Sequence, residues 1–519
     1  VSKIELQRKQ SQSTTVPVLD VPVITGSKVS STVDDKAIVT DSVLFGAMKD
    51  EMKRTMSELS SRQSPGISLL RYYLLDRKSY KTKASGGKLF FSNQSPGRNL
   101  ALHLYVGDTL FSSNHNFDYS TLTSSTQIAL EDNYNSIRRD LWLSTDLAYK
   151  IAMDLYRSKK DGLTTANLSM EEKELNDMIP VKQPVFSSFE SKGGFATLDD
   201  ISAFTIELSS ILDQGNMIFD SSIDLDAIDQ VTYMVTSEGS QVKEPLGYIS
   251  VLVQGKVRLD GDKVFHNSET IVVPFRDDAT VKAYLTKRVK QFTESLISVK
   301  RSRQMDEDYI GPVLFEESAV SNLFAVSLVN YGGILSFRKP VPAKTSLMPI
   351  GMVNSSNVKT SADRVGKKLI DNNLSVVNWS SLKNFKGIPL GGSYNIDAEG
   401  ISPADGIELV REGILKRHLS GSVPTLKSSE STGSVRFGFL LTSASVGLSP
   451  GILEFKAKHT MTDARLRKEL LKLAKNEGLD YAYVVKRISK ESQVLIRLNV
   501  ADGSEEVISG AEIQEIGLS

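Results

Sequence analysis

Residues 311–330 read GPVLFEESAVSNLFAVSLVN. From Glu316 to Asn330, apolar and small side chains fall on nearly every side of a helical projection. That pattern predicts a helix enclosed by its own domain rather than laid on a surface. Many short strand-like runs and loops follow and are expected to surround it. Farther on, TMTDARLRKELLKLAKNEG at 460–478 predicts a capped helix, with Thr460 and Asp463 at capping-box spacing and Gly478 as its stop. The tail, YAYVVKRI, SQVLIRLNV and EEVIS around Asp502-Gly503, predicts a hairpin. Residues 305–519 therefore read as a β-rich, barrel- or sandwich-like domain around a central buried helix.

Working toward the start of the chain, 279–304 predicts a connecting helix, with Val281, Leu285, Val289, Phe292, Leu296 and Val299 in phase. Residues 41–278 mix helices and strands. Leu44, Met48, Met52, Met56 and Leu59 form one helical stripe read as core, with Asp41 and Ser42 as caps. ISLLRYYLLD at 67–76 and LALHLYVG at 100–107 predict strands separated by Pro/Gly/Ser/Asn punctuation. Ile137, Leu141, Leu147, Ile151 and Leu155 predict a long helix with Trp142 packed beneath it, and LDDISAFTIELSSILDQ at 198–214 predicts another. The runs YMVTS, LGYISVLVQGKVRL and ETIVVPF then read as strands. With no regular βαβ alternation, the fold class is α+β in two domains. Residues 1–40, rich in Ser, Thr, Val and Lys without a helical period, read as an extended or mobile arm.

The 519 residues are 40% hydrophobic and 24% charged, a composition that excludes wholesale disorder and can fill real cores. Sixty-two Lys+Arg balance 62 Asp+Glu, so no global field attracts nucleic acid or anionic lipid. No apolar run approaches the ~18 residues of a membrane helix, and no membrane insertion is expected. No signal-peptide pattern follows Val1, and localisation, cytoplasmic or exported, stays open. Cysteine is absent, which removes disulfides, thiolate zinc sites and cysteine nucleophiles together.

The chain shows little overt chemistry. His103, His115, His266, His418 and His459 are the five histidines, and none pairs at a metal-motif spacing. Asp220, Asp224, Asp226 and Asp229 form the densest carboxylate cluster, without the glycine and closing glutamate of a calcium loop, and read as a solvated acidic edge. The glycine pairs at 86–87, 193–194, 332–333 and 391–392 lack a phosphate-loop context and read as turns. There is no GxSxG elbow.

An ordered set of segments carries more. GPVLFEESAV at 311–320 is followed by IDAEGISP at 396–403, ELVREGILKRHLSGSVPT at 408–425 and SSESTGSVR at 428–436. On these segments the chain resembles the TldD/PmbA (TldE) metallopeptidase family, formerly called modulator of DNA gyrase. LFGAMKDEMKRTMSEL, LWLSTDLAYKIAMDLYRSKK and TSEGS extend the resemblance over most of 41–519. In TldD-type members the buried helix after GPVL carries HExxxH: two His bind zinc, the Glu acts as general base, and a later Cys completes the ligand set. Neutral imidazoles and a thiolate hold the ion, and the open position activates water. Aligned on GPVLFEESAV, this chain has Ala325, Val326 and Asn330 where that motif has His, Glu and His.

The resemblance therefore implies a PmbA/TldE-type chain: a non-catalytic subunit with no metal, cofactor or catalytic residue of its own. Its expected partner is a TldD-like zinc-binding subunit acting on peptides or unfolded segments. A homodimeric peptide-binding or scaffold protein descended from a peptidase is a second reading, and a hydrolase with an unrecognised ligand set a third. Asp397, Glu399, Ser431, Gly433 and Arg436 are the polar positions on the best-matching segments. They are expected on loops near a peptide cleft, with Arg436 pairing a carboxylate and exposed backbone accepting a strand. The same residues also read as a salt-bridged turn beside the enclosed helix.

Overall fold

Two adjacent glycines, Gly86 and Gly87, take φ of 53° and 71° and turn the chain between the strands Ile67–Ser85 and Lys88–Val106. Only residues tolerant of positive φ build this two-residue hairpin turn. The strands pair from Ser85 opposite Lys88 back to Ile67 opposite Val106, so the expected break between them is absent. The structure is a computed structural model describing residues 2–8, 42–62, 65–114, 124–181, 183–189, 197–259, 264–275, 279–330, 333–339, 341, 364–438, 445–488 and 493–513. His115 and the glycine pair at 193–194 lie outside the described residues.

The hairpin is the centre of a seven-stranded sheet. Its order is Ser124–Gln127, Lys88–Val106, Ile67–Ser85, Phe219–Thr236 and Gln241–Arg258, with Val264–Pro274 and Phe186–Ser188 both pairing with the last. Side chains alternate across a strand. Leu70, Tyr72 and Leu74 therefore meet the helices Val43–Arg62 and Tyr134–Thr165, whereas Tyr73 and Leu75 join Met234 and Val242 of the same sheet and Ile396 of the C-terminal half. Burial on both faces is why ISLLRYYLLD lacks polar alternation. The aspartate cluster sits on Phe219–Thr236 and faces lysines: Asp224 pairs with Lys83 at 3.0 Å and Asp220 with Lys256 at 2.5 Å.

Several expectations are corrected. The helix Ala279–Val299 is a layer of the N-terminal sheet rather than a spacer, with Val281, Leu285, Val289 and Phe292 packed among Ile249, Val251 and Val253. Trp142 and Leu147 are about half exposed rather than packed beneath Tyr134–Thr165. Leu147 is six residues from Leu141, about 240° around the helix, and so points away from the buried stripe. Thr462, not Thr460, caps the helix Asp463–Asn476, accepting from Arg465 N, and Gly478 follows with φ 73°.

The C-terminal half is divided among sheets instead of forming one barrel or sandwich. Ile414–Leu415, Ile407–Arg411, Leu374–Trp379 and Ile452–Ala457 make a four-stranded antiparallel sheet. Two small ribbons pair Asn384–Phe385 with Ile388–Pro389 and Val435–Gly438 with Ser445–Leu448. A six-stranded sheet runs Ser2–Arg8, Tyr309–Phe315, Tyr481–Val485, Gln493–Asn499, Glu505–Ile513 and Arg303–Gln304. Residues 2–8 of the expected arm are thus a strand paired to both Tyr309–Phe315 and Glu505–Ile513; residues 9–40 lie outside the described residues. The expected tail hairpin is present, with Asn499 N donating to Ser504 O across Asp502-Gly503. The molecule is an α+β protein.

Candidate functional site

The segment expected, from the sequence resemblance, to align with a metal motif is helical, but its winding changes. Ser318–Phe324 is an α-helix and Ala325–Asn330 continues it as a wider π-turn. Ala319, Asn322, Leu323, Ala325 and Leu328 are buried, whereas Val320, Phe324, Val326 and Val329 are half-buried. The helix is therefore covered on one side and partly open on the other, not enclosed all round. Ala325 and Val326 contribute only hydrocarbon, and Asn330 is described in its backbone alone. Zinc needs several nitrogen, sulfur or oxygen donors, and the residues present do not fit it. Among the described residues no group of three His, Cys, Asp or Glu side chains is placed to hold a metal ion.

Asp397 and Glu399 lie at the junction of the two halves. Leu328, Ala398 and Val435 share one apolar cluster, which ties the π-turn to the turn at 396–401 and to Val435–Gly438. Asp397 is 2% exposed and Glu399 3%, so neither lines an open cleft. The turn is drawn tight by its own carboxylate: Glu399 N and Ile401 N both donate to Asp397 Oδ1 at 2.9 Å. Gly400 closes it at φ 78°, where a Cβ would lie 2.9 Å from Ser240 Cβ.

Glu399 is bound by residues from both halves. Arg71 Nη1, on the N-terminal hairpin, donates to Glu399 Oε1 at 2.8 Å, while Ser422 N donates to Oε2 at 2.6 Å and Ser422 Oγ to Oε1. The same guanidinium uses Nε and Nη2 to hold Glu238 Oε2 at 3.2 and 2.9 Å, and Val181 N donates to Glu238 Oε1. Tyr73 Oη donates to Ala398 O at 2.8 Å and lies 3.4 Å from His103 Nδ1. Burial and then the Arg71 charge hold His103 down at about 3, so it is neutral. Burial, then the Glu399 carboxylate, pushes Asp397 well above the usual carboxylate range, against the pull of its backbone N–H donors. Burial lowers Arg71, but Glu238 and Glu399 outweigh it and leave the guanidinium firmly charged.

The other expected residues form the adjoining rim. Arg436 stacks 4.4 Å over the Tyr394 ring and donates to Pro450 O at 2.9 Å. Glu244, which interacts with Arg436 through charge, takes two hydrogen bonds at 3.0 Å from Asn395, through N and Nδ2. Burial pushes Glu244 up to about 7. Gly433 N donates to Ser431 Oγ, and Gly433 sits at φ 65° against Pro403. Neither of the two described cavities, about 340 and 620 Å³, is lined by any of the five expected residues.

The arrangement around Glu399 is closed from solvent, with Arg71 2% and Ser422 4% exposed. It is a buried ionic clasp that joins the N-terminal sheet to the turn at 396–401. Sequence reasoning placed Asp397 and Glu399 but missed Arg71, Tyr73, His103, Glu238, Glu244 and Ser422. The available signal was Arg71 and His103 standing inside otherwise apolar strands, where a charged or polar residue needs a buried partner. A second clasp, also unforeseen, is built from Lys159, whose Nζ reaches Asp177 Oδ2, Ser112 O at 3.1 Å and Asn114 O at 2.8 Å.

No family model and no curated protein matches the chain. Solved structures do match. TldE from Thermococcus kodakarensis superposes with a TM-score of 0.55 at 11% identity, covering 91% of each chain. The chain has the TldE fold. A Thermotoga maritima protein described as a modulator of a DNA gyrase gives a TM-score of 0.51 at 13% identity, covering 91% of this chain and 97% of that one. At such identity the likeness shows the fold, and the TldE fold is what the motif order in residues 311–436 had implied.

Proposed function

We propose that this chain is a non-catalytic, TldE-like subunit of a heteromeric metallopeptidase acting on peptides or unfolded segments. In this reading the zinc and the general base belong to a TldD-like chain, and this subunit supplies shape. The observation that carries the reading is the pair Ala325–Val326. These residues stand on a π-wound helix within the TldE fold, at positions where a peptidase of the resembled family needs a ligand and a base. Hydrocarbon there can neither coordinate an ion nor accept a proton from water. The buried clasp supports the same reading, because Arg71, Glu238 and Glu399 spend their hydrogen-bonding capacity on one another and on backbone.

The test is to express the chain alone and together with a TldD-type chain carrying HExxxH and a later Cys, then measure zinc and peptide turnover. The expected result is turnover only in the co-expressed sample, with zinc in the TldD-type chain. Stoichiometric zinc and turnover in this chain alone would overturn the proposal. A stable homodimer that ignores the TldD-type chain would instead establish the scaffold reading.

A further inference from the structure

Arginines in this chain hold carboxylates with one side of the guanidinium. Nε and Nη2 of Arg54 grip Glu51, and the same two nitrogens of Arg71, Arg411 and Arg467 grip Glu238, Glu408 and Glu316. The planar fork suits a carboxylate better than any other side-chain group. Arg436 departs from that use. It spends Nη1 on Pro450 O at 2.9 Å and stacks 4.4 Å over the Tyr394 ring, and among the described residues its Nε and Nη2 have no partner. Neither nitrogen is sealed from solvent, and the side chain as a whole is half-buried. Tyr394 is itself tied by Oη to Gly433 O at 2.8 Å, so the fork is held in one orientation before anything binds.

The carboxyl that could neutralise this fork stands back from it. Glu244, on the strand Gln241–Arg258, is 4% exposed and near enough for its charge and that of Arg436 to act on each other, yet the two form no ion pair. Both hydrogen bonds from Asn395 go to Glu244 Oε1, and Oε2 is buried without a partner. Native structures rarely leave a buried polar atom unbonded without a reason. One group satisfies both sides at once. A ligand carboxylate accepts from Nε and Nη2 of Arg436 and also from the O–H of a protonated Glu244. Burial already pushes Glu244 up to about 7, and Lys383 and Arg436 are the charged groups that act on it. A cationic ligand would meet the unneutralised guanidinium, so the charge balance selects an anion.

We propose that Arg436 and Glu244 form a receptor for a carboxylate carried by a peptide, with the Arg436 fork and Glu244 Oε2 both bonding the captured group. The choice of a peptide rests on the subunit reading above and deepens it, by naming the chemical group that this chain grips. The receptor uses no residue of the Arg71–Glu399 clasp.

Titration calorimetry on the pure full chain tests it, with no TldD-type chain, zinc or turnover involved. The probes are N-acetyl-tetra-alanine, its C-terminal amide, and that amide with glutamate at the third position. At pH 6 a carboxylate-bearing peptide should bind about tenfold or more tightly than the plain amide. N-acetyl-tetra-alanine doing so assigns the receptor to chain ends, and the glutamate peptide doing so assigns it to acidic side chains. Arg436→Gln should abolish the preference, and Arg436→Lys should remove most of it, because an ammonium has no fork. Parent affinity should fall about tenfold from pH 6 to pH 8 as Glu244 loses its proton, whereas Glu244→Gln, with an amide donor in place of the acid, should hold steady. Where Arg436→Gln does not fold by circular dichroism, Arg436→Lys and the acid–amide comparison on the parent decide. The proposal is overturned by equal binding of acid and amide peptides, by arginine variants that bind as the parent does, or by a parent affinity that ignores pH. A carboxylate preference in a chain that assembles with no TldD-type subunit would sink the subunit reading and leave the receptor standing. Assembly and turnover without that preference would do the reverse.

Discussion

Replacing Arg71 with Met tests the clasp most directly. The guanidinium is 3% exposed as a side chain and holds two carboxylates, Glu238 at 2.9 Å and Glu399 at 2.8 Å. Methionine fills much of the same volume but leaves both carboxylates without a counter-charge. Glu399 keeps Ser422 and Glu238 keeps Val181 N, so neither becomes wholly unbonded. Removing one partner of a buried ion pair costs about 3–5 kcal/mol, dominated by the stranded charge. The expected loss for Arg71→Met is therefore about 3–5 kcal/mol by urea unfolding at pH 7, followed by circular dichroism. Glu399→Gln in the Arg71→Met background should recover part of it, giving a coupling of at least ~1 kcal/mol in the double-mutant cycle. Arg71→Lys should recover little, because an ammonium cannot reproduce a fork that serves two acids at once. A loss below ~1 kcal/mol, or strictly additive single effects, would refute the claim that this network joins the halves.

Glu244 predicts a pH dependence of definite sign. Its folded pKa, pushed by burial to about 7 from 4.5, favours the protonated form. The stabilisation is fully present below 4.5 and is lost as pH rises through 7, by up to about 3 kcal/mol. Glu244→Gln should flatten that decline in a series of melting temperatures from pH 5 to 8; an unchanged slope would remove Glu244 as its source. Gly433→Ala should destabilise by about 1–3 kcal/mol in thermal melts, since φ is 65° and a Cβ would lie 2.7 Å from Pro403 Cα. Gly87→Ala at the open hairpin tip, with a built Cβ 3.8 Å from its nearest neighbour, should cost less despite its similar φ. Equal costs would show that strain, not the close approach to Pro403, decides.

Much of the fold was legible where local periodicity and burial agree. Val281 to Val299 announced a helix, and Asp502-Gly503 announced a turn. Periodicity did not say which surface a stripe meets, so Ala279–Val299 read as a spacer although it packs on the N-terminal sheet. The 67–106 hairpin failed as one unit because Pro96 and Gly97 look like breakers. Outer pairing of Lys88–Val106 begins only at Asn99, and an edge strand accepts proline where no ladder bond is needed. At the junction, the turn chemistry of Asp-x-Glu-Gly was readable. The Arg71 partner, 328 positions away in sequence, was not. Long-range ion pairs leave only a one-sided trace, a charge inside an apolar strand, and nothing local names the other side.

The position of these charges also constrains what the junction can do. A buried Arg–Glu network stabilises no more than well-packed apolar groups of equal volume, because desolvation offsets most of the attraction. Its distinctive property is direction. The Arg71 fork reaches Glu238 on one side and Glu399 on the other, Tyr73 Oη is aimed at Ala398 O, and Gly400 admits the turn against Ser240 only without a Cβ. Sliding the turn by one residue would strand Glu399 in an apolar layer and drive a side chain into Ser240. An apolar contact between the halves would tolerate such slippage, as cores tolerate volume-conserving changes. Arg71, Tyr73 and Glu399 thus fix how the halves sit, and a surface held in place is what the proposed subunit role needs.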